Sequence, residues 1–334
     1  MVYGHGYLAV KATINLWESL VRSQLEFAAE ILGKEIWAEA ETVQMDMCRR
    51  VLRCPSKTNK RAMQGDLGLW TLQARRDLKK LLWWMNIQTM DDSRLVKQAY
   101  SMSKQAWETH RTNWSSTIKK IFHKYGLDAL WGDEQKVFLL DLKNTEAKSP
   151  TAHRNYWKTY VKKVIHQVEE NKWRAGMEDK IRITKEAKMM RSKLRTYRTF
   201  KTKLRLENYL LITGSYRGRM LMTTLRSGTN ALEIEKGRYN HLDECDRLCK
   251  QCDSKVVENE EHMVTECDRY SDTRLDLYLK IYQITNSKWN LLTHCKHDRF
   301  ILLLNGTNDE YEMQIYKLFQ SFLVKAFKMR RKDT

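Results

Sequence analysis

The sequence predicts a mainly α-helical fold, and two observations carry that expectation. Among 334 residues there are only 2 Pro and 13 Gly, so the turn chemistry that short strands demand is scarce and a β-sandwich or barrel is disfavoured. Apolar residues make up 42% of the chain and include 11 Trp, enough for a packed core, and they recur mostly at helical spacing. A mean hydropathy of -0.65 describes a water-facing surface. The length suits about two domains, and composition marks three consecutive segments: a helical bundle over 1-150, a basic helical linker over 151-240 and a cysteine-containing segment with C-terminal helices over 241-334.

The elements follow in order. Leu8, Ile14, Trp17, Val21, Leu25, Ala28 and Leu32 form an apolar stripe that predicts one amphipathic helix from Tyr7 to Leu32. A second helix runs from Ile36 to Leu52 and stops before Arg53-Cys54-Pro55, since Pro55 disfavours helical geometry in its predecessor. Asn59 or Thr58 caps a helix through Met63, and Gly65-Asp66-Leu67-Gly68 reads as a turn before a helix over Leu72 to Met85. Asp91-Asp92-Ser93 is expected to cap a helix from Arg94 to Trp107. Further helices are predicted over Trp114 to Tyr125, Glu134 to Leu142 and, beyond Ser149-Pro150, from His153 onward. In the linker, Ile183, Ala187, Met190, Leu194, Tyr197 and Leu204 line one helical face, with Lys185, Lys188, Arg191, Arg195 and Arg198 broadly on another.

Charge narrows the function classes. Sixty Lys and Arg oppose 41 Asp and Glu, a net charge of +19, which favours a polyanionic partner, RNA or DNA before a membrane surface. Between His153 and Arg205, ten Lys and seven Arg face five acids. The five linker cations named above are therefore the candidate nucleic-acid contacts, against the alternative of a plain solvated face. The longest purely apolar stretch near the C-terminus is Phe300 to Leu304, far short of a membrane span. The first residues lack the basic, apolar and small-residue order of a secretory leader. An intracellular location, nuclear or cytoplasmic, is expected, and seven Cys then read as thiols or metal ligands rather than a disulfide framework.

The most specific chemistry is Cys249-x2-Cys252-x9-His262-x4-Cys267. A CxxC turn brings two thiolates to one ion while His262 and Cys267 close the shell, the donor set of structural Zn2+. Buried reduced cysteines are the alternative. Four protein ligands leave no open position for water, so metal-assisted hydrolysis is not expected. Cys245 could substitute for one ligand, whereas His294, Cys295 and His297 lack a fourth partner, and Cys48 and Cys54 suit packing.

Catalytic signatures are sparse. Thr89-Met90-Asp91-Asp92 resembles a polymerase metal-binding turn but lacks its aromatic residue, and helix capping explains it better. No phosphate-cradling glycine loop, Pro-Asp dipeptide or G-x-S-x-G elbow is present. Trp83-Trp84 could stack on bases, but core packing is the simpler role.

The stretch from Glu41-Thr-Val-Gln-Met-Asp-Met to Cys54-Pro55, then Thr58-Asn59, Gly65-Asp-Leu-Gly68 and Leu72-Gln-Ala-Arg-Arg76 resembles the region just after the palm in non-LTR, LINE-type retrotransposon reverse transcriptases. The helix from Leu16-Trp17 to Glu30 resembles it too. Asn230 to Tyr239 leading into the cysteine cluster, and Glu266-Cys-Asp-Arg-Tyr-Ser271 to Arg274 behind it, are similar to the C-terminal CCHC zinc-knuckle segment of those proteins. The resemblance implies a thumb-like bundle, a linker that holds RNA and duplex, and a knuckle that assists RNA or DNA binding. It matches a defined site only at Cys249, Cys252, His262 and Cys267. The palm and its catalytic acids are missing, so the expected protein is a non-enzymatic, retrotransposon-derived binder. Two rivals are the non-catalytic portion of an active RNA-directed DNA polymerase with a palm encoded upstream, and a helical protein-interaction scaffold.

Overall fold

The computed structural model describes residues 9–32, 37–106, 113–131, 150–178, 182–183, 189–190, 193–212 and 215–330. Its architecture is mainly α. The helices are α1 Val10–Leu16, α2 Arg22–Leu25, α3 Ala38–Leu52, α4 Lys60–Leu67, α5 Leu72–Gln88, α6 Leu95–Gln105, α7 Trp114–Lys124 and α8 Pro150–Ala175. Two two-residue strands follow, β1 Arg182–Ile183 antiparallel to β2 Met189–Met190 with Arg182 opposite Met190. The remaining helices are α9 Tyr197–Phe200, α10 Tyr216–Arg226, α11 Glu233–Tyr239, α12 Ser271–Ile284, α13 Lys296–Asn305 and α14 Glu312–Arg330.

The chain forms two compact units that interleave along the sequence rather than following the three expected segments. One holds the described residues of Met1–Leu16, Met45–Leu69 and Trp173–Thr334; the other holds those of Trp17–Gln44 and Trp70–Lys172. In the second unit, Leu81, Trp84, Ile118, Phe122, Trp157, Val161 and Ile165 from α5, α7 and α8 make one apolar core. Trp84 meets the Phe122 ring edge-on at 4.9 Å and lies 5.4 Å from Trp157. The indole N–H groups stay satisfied inside this core, Trp84 donating to Tyr100 Oη at 3.0 Å and Trp157 to the Leu81 carbonyl at 2.9 Å. Trp84 is thus a core residue, as its apolar neighbours predicted.

In the first unit, α14 packs against α10 and α12, burying Met222, Leu225, Leu277, Ile281, Phe319 and Leu323. Beside this core lies a buried charge network. Arg226 donates to Asp66 at 3.0 Å, to Glu207 at 2.8 Å and to the Leu304 carbonyl, while Lys201 pairs with Glu207. Tyr197 and Tyr209 also donate to Asp66, at 2.9 and 2.6 Å. Burial works against the Asp66 carboxylate, but the Arg226 and Lys201 charges more than offset it and hold its pKa below the ordinary value.

Several elements depart from the sequence expectation. The helix expected over Tyr7 to Leu32 is broken: a π-helical turn over Trp17–Val21 rotates the following face, and the helix then stops at Leu25, with Ala28 at φ 49° in the turn beyond. Glu26 and Ala29 are buried instead, while Val21 and Leu32 are exposed. Gly65-Asp66-Leu67 is not a turn but the last stretch of α4, and only Gly68, at φ 64°, ends the helix. A Cβ at Gly65 would lie 2.3 Å from Tyr197 Oη, so the glycine permits close helix packing. Asn59 caps α4 as expected. Asp91 accepts from Ser93 N at 2.9 Å in a local turn, and α6 starts after Arg94 without a side-chain cap. The continuous linker helix expected over Ile183 to Leu204 is absent: the β1–β2 pairing and a single helical turn, α9, replace it. The apolar residues Leu194, Tyr197 and Leu204 are nonetheless buried. The helix expected over Glu134 to Leu142 lies outside the described residues.

Candidate metal centre

Local backbone geometry builds the Cys/His cluster. Cys249 N donates to the Val256 carbonyl at 2.8 Å and Glu258 N to the Arg247 carbonyl at 3.0 Å, forming a short antiparallel ribbon in which Leu248 pairs with Val257. Gln251 N–H points at Cys249 Sγ, 3.4 Å away, so the CxxC turn closes over its first sulfur. Lys255, with φ 52°, lets the ribbon reverse. The second pair of ligands lies on a different element, because Asn259 Oδ1 accepts from His262 N at 2.8 Å and starts a π-helical turn over His262–Glu266. That turn ends with Cys267 N donating to the His262 carbonyl at 2.8 Å, bringing Cys267 back toward Cys249.

The ligand atoms of Cys249, Cys252, His262 and Cys267 all lie within 4.8 Å of one another. The Cys249 and Cys267 sulfurs are 3.9 Å apart, and Cys252 Sγ is 3.5 Å from His262 Nε2. A tetrahedral ion with Zn–S and Zn–N bonds of ordinary length places two sulfurs about 3.8 Å apart and a sulfur and nitrogen about 3.6 Å apart. The residues therefore fit a metal of this size, and three soft sulfurs with one imidazole favour Zn2+ over oxygen-seeking cations. Among the described residues no other group of three or more His, Cys, Asp or Glu side chains has such a geometry. Cys245 is exposed and lies outside the cluster; Cys295 instead accepts from Asp298 N as the cap of α13.

The surroundings suit a structural role. Cys249, His262 and Cys267 are buried, whereas Cys252 is partly open. Burial pushes the Cys249 thiol up to about 11 and raises Cys267 as well, a tendency that a divalent ion reverses by stabilising thiolates. Burial also lowers the His262 pKa, which favours the neutral imidazole a metal requires. Glu266 Oε2 stands 3.6 Å from His262 Nδ1, on the side away from the sulfurs. Arg274 donates to the Cys267 carbonyl at 3.0 Å. Glu258 joins the ribbon to the helices: it accepts from Glu233 N at 2.7 Å and pairs with Arg330 at 2.8 Å.

Of the five predicted nucleic-acid contacts, only Arg195 and Arg198 fall within the described residues. Lys185, Lys188 and Arg191 lie outside the described residues. Arg195 is held by Glu235 at 2.7 Å and by Glu260 at 2.8 Å, and its two acid partners are buried; its charge is neutralised internally. Arg198 is half-buried. Sequence reading missed a basic-aromatic cluster nearby: Tyr239 is 51% exposed, with Lys57 Nζ 4.8 Å and Lys193 Nζ 5.4 Å from its ring centre. Separations of 182 and 46 residues hide it from periodicity. No family model, curated protein or solved structure matches this chain. Among the described residues no helix is long and apolar enough to cross a membrane.

Proposed function

We infer that this chain is a nucleic-acid-binding protein organised in part by one structural Zn2+ on Cys249, Cys252, His262 and Cys267, with no reaction assigned to it. The observation that carries the reading is unequal burial of charge. Among the described residues eleven Asp and Glu are buried, including Glu26, Asp66, Asp77 and Glu260, against seven Lys and Arg. Among these residues folding takes more negative than positive charge off the surface, and the sequence as a whole carries +19. A surface biased this way attracts a phosphate backbone through long-range steering and counterion release. Lys57 and Lys193, both held over the ring of the exposed Tyr239, add two cations at one place. The order of motifs along the chain supports an origin in the post-palm region of a LINE-type reverse transcriptase, with the knuckle as an RNA or DNA contact.

Competition binding tests this reading. A labelled RNA should be displaced by unlabelled RNA or DNA at far lower phosphate concentration than by anionic vesicles. Equal or better displacement by vesicles would replace nucleic acid with a lipid surface, and no RNA retention at low salt would leave the scaffold reading.

A further inference from the structure

On the second compact unit, α8 buries Trp157, Val161 and Ile165 on one face and presents a groove of about 720 Å³ on another. Lys158, Lys162 and His166 follow one another at four-residue steps along its wall, about 6 Å apart along the axis, with Asn155 and Lys163 in the adjacent row. The three lysines are exposed, and among the described residues no carboxylate pairs with any of them. Like charges at i,i+4 disfavour a helix, so Lys158 and Lys162 repel one another with no acid between them, while His166 at the end of the row has the Glu170 carboxylate 3.9 Å from its Nε2. Trp70 also lines the groove, its indole N–H donating to His166 Nδ1 at 3.1 Å. The two rings are stacked, 5.7 Å between centres and 29° from parallel. The Trp70 carbonyl accepts from Gln44 Nε2 at 2.9 Å, which holds that residue in place.

We propose that this groove is a binding site for single-stranded nucleic acid, with phosphates on Lys158, Lys162 and Lys163 and one base stacked at the Trp70–His166 pair. The proposal rests on the nucleic-acid reading above and adds a second site, in a different unit from the metal centre. Unpaired cations beside a fixed aromatic pair match a strand whose bases are free to stack. In a duplex the bases already stack on one another, so the aromatic pair gains nothing from it. Asn155 adds an amide able to meet a base edge.

The test uses the full chain, a fluorescent 12-nucleotide single strand, the same strand with one abasic position, and its duplex. Replacing Lys158, Lys162 and Lys163 by Gln leaves the core untouched. It should weaken single-strand binding by about tenfold or more and flatten the salt slope by about two units, with a smaller effect on the duplex. His166→Ala and Trp70→Leu should narrow the difference between intact and abasic strands, which stacking sets at roughly fivefold or more; circular dichroism checks that each variant is folded. If the parent binds nucleic acid but the lysine variant binds single strand as the parent does, the groove proposal is wrong and the general reading stands. An equal loss for single strand and duplex also overturns it, because the lysines then act as undirected charge. If the parent binds no nucleic acid, both fail together.

Discussion

At the scale of single residues, the four metal ligands differ in what removing them should do. Cys252 and His262 are 3.5 Å apart and complete the shell opposite Cys249 and Cys267, so Cys252→Ser and His262→Ala should each abolish stoichiometric zinc in elemental analysis. Cys245→Ser and Cys295→Ser should retain it. Arg226 carries a different burden. It is fully buried between Asp66 and Glu207, and Arg226→Met would take from Asp66 its main cationic partner and leave Glu207 with Lys201 alone. A loss of about 3–5 kcal/mol in urea unfolding is expected. Lys80 supplies a pH signature. Burial pushes its ammonium down to about 8, and its Nζ donates to the Ala29 carbonyl at 2.8 Å. Because the folded pKa lies below the unfolded value of about 10.4, the cost of burying the charge is complete below pH 8 and disappears as pH rises through that window. The stability difference between Lys80→Met and the parent should accordingly move toward the parent between pH 8 and 10, and a difference independent of pH would contradict the burial argument. None of these buried charges was legible in the sequence. Asp66, Glu207 and Arg226 meet across 160 and 19 residues, whereas a charged side chain met in a sequence reads as surface by default.

At the scale of elements, periodicity worked where a helix packs one face on a core and failed where the backbone changes register. The helices over Leu72–Gln88 and Trp114–Lys124 follow the expected spans closely, since Trp84, Ile118, Ile121 and Phe122 anchor their apolar faces. The cysteine spacing likewise described its site, because a CxxC turn and a following His and Cys have few ways to face one another. A π-helical turn at Trp17–Val21, the end of the helix at Leu25 and the positive φ of Ala28 together broke the apolar stripe. Beyond β2, Leu194, Tyr197 and Leu204 of the expected stripe still find the interior without forming one helix. Arg195 leaves the expected basic face for an electrostatic reason: it meets Glu235 and Glu260, 40 and 65 residues away. Arg195→Ala should therefore act on stability, by about 3 kcal/mol, rather than on the salt dependence of binding; thermal and urea unfolding beside RNA titration separate the two. The ribbon from Leu248 to Tyr270 has a parallel expectation. Metal contributes on the order of 10 kcal/mol to small zinc modules, so a chelator should raise protease cleavage there while leaving most of the helical signal. Glu258 links this ribbon to the start of α11 and the end of α14, and amide exchange at Glu233 and around Arg330 should rise with it. Unchanged cleavage after verified metal removal would show that the ribbon holds itself.

At the scale of the whole molecule, the proposed nucleic-acid binding rests on where charge ends up. The +19 of the sequence pointed to a polyanion, but it did not show which acids are withdrawn into the interior or which lysines remain unpaired. Lys158, Lys162 and Lys163 fell inside a long basic run, and only the three-dimensional arrangement sets them beside Trp70. In the proposed function zinc and basic surface make separable contributions: the metal would order one ribbon, while the cations belong to both units. The most direct measurement of the central claim is the affinity of the zinc-loaded chain for a single-stranded RNA across a range of salt concentrations. Contact with several phosphates predicts a straight line of log affinity against log salt with a slope steeper than about −3. A slope near zero, or an affinity no greater for RNA than for a neutral polymer, would contradict it.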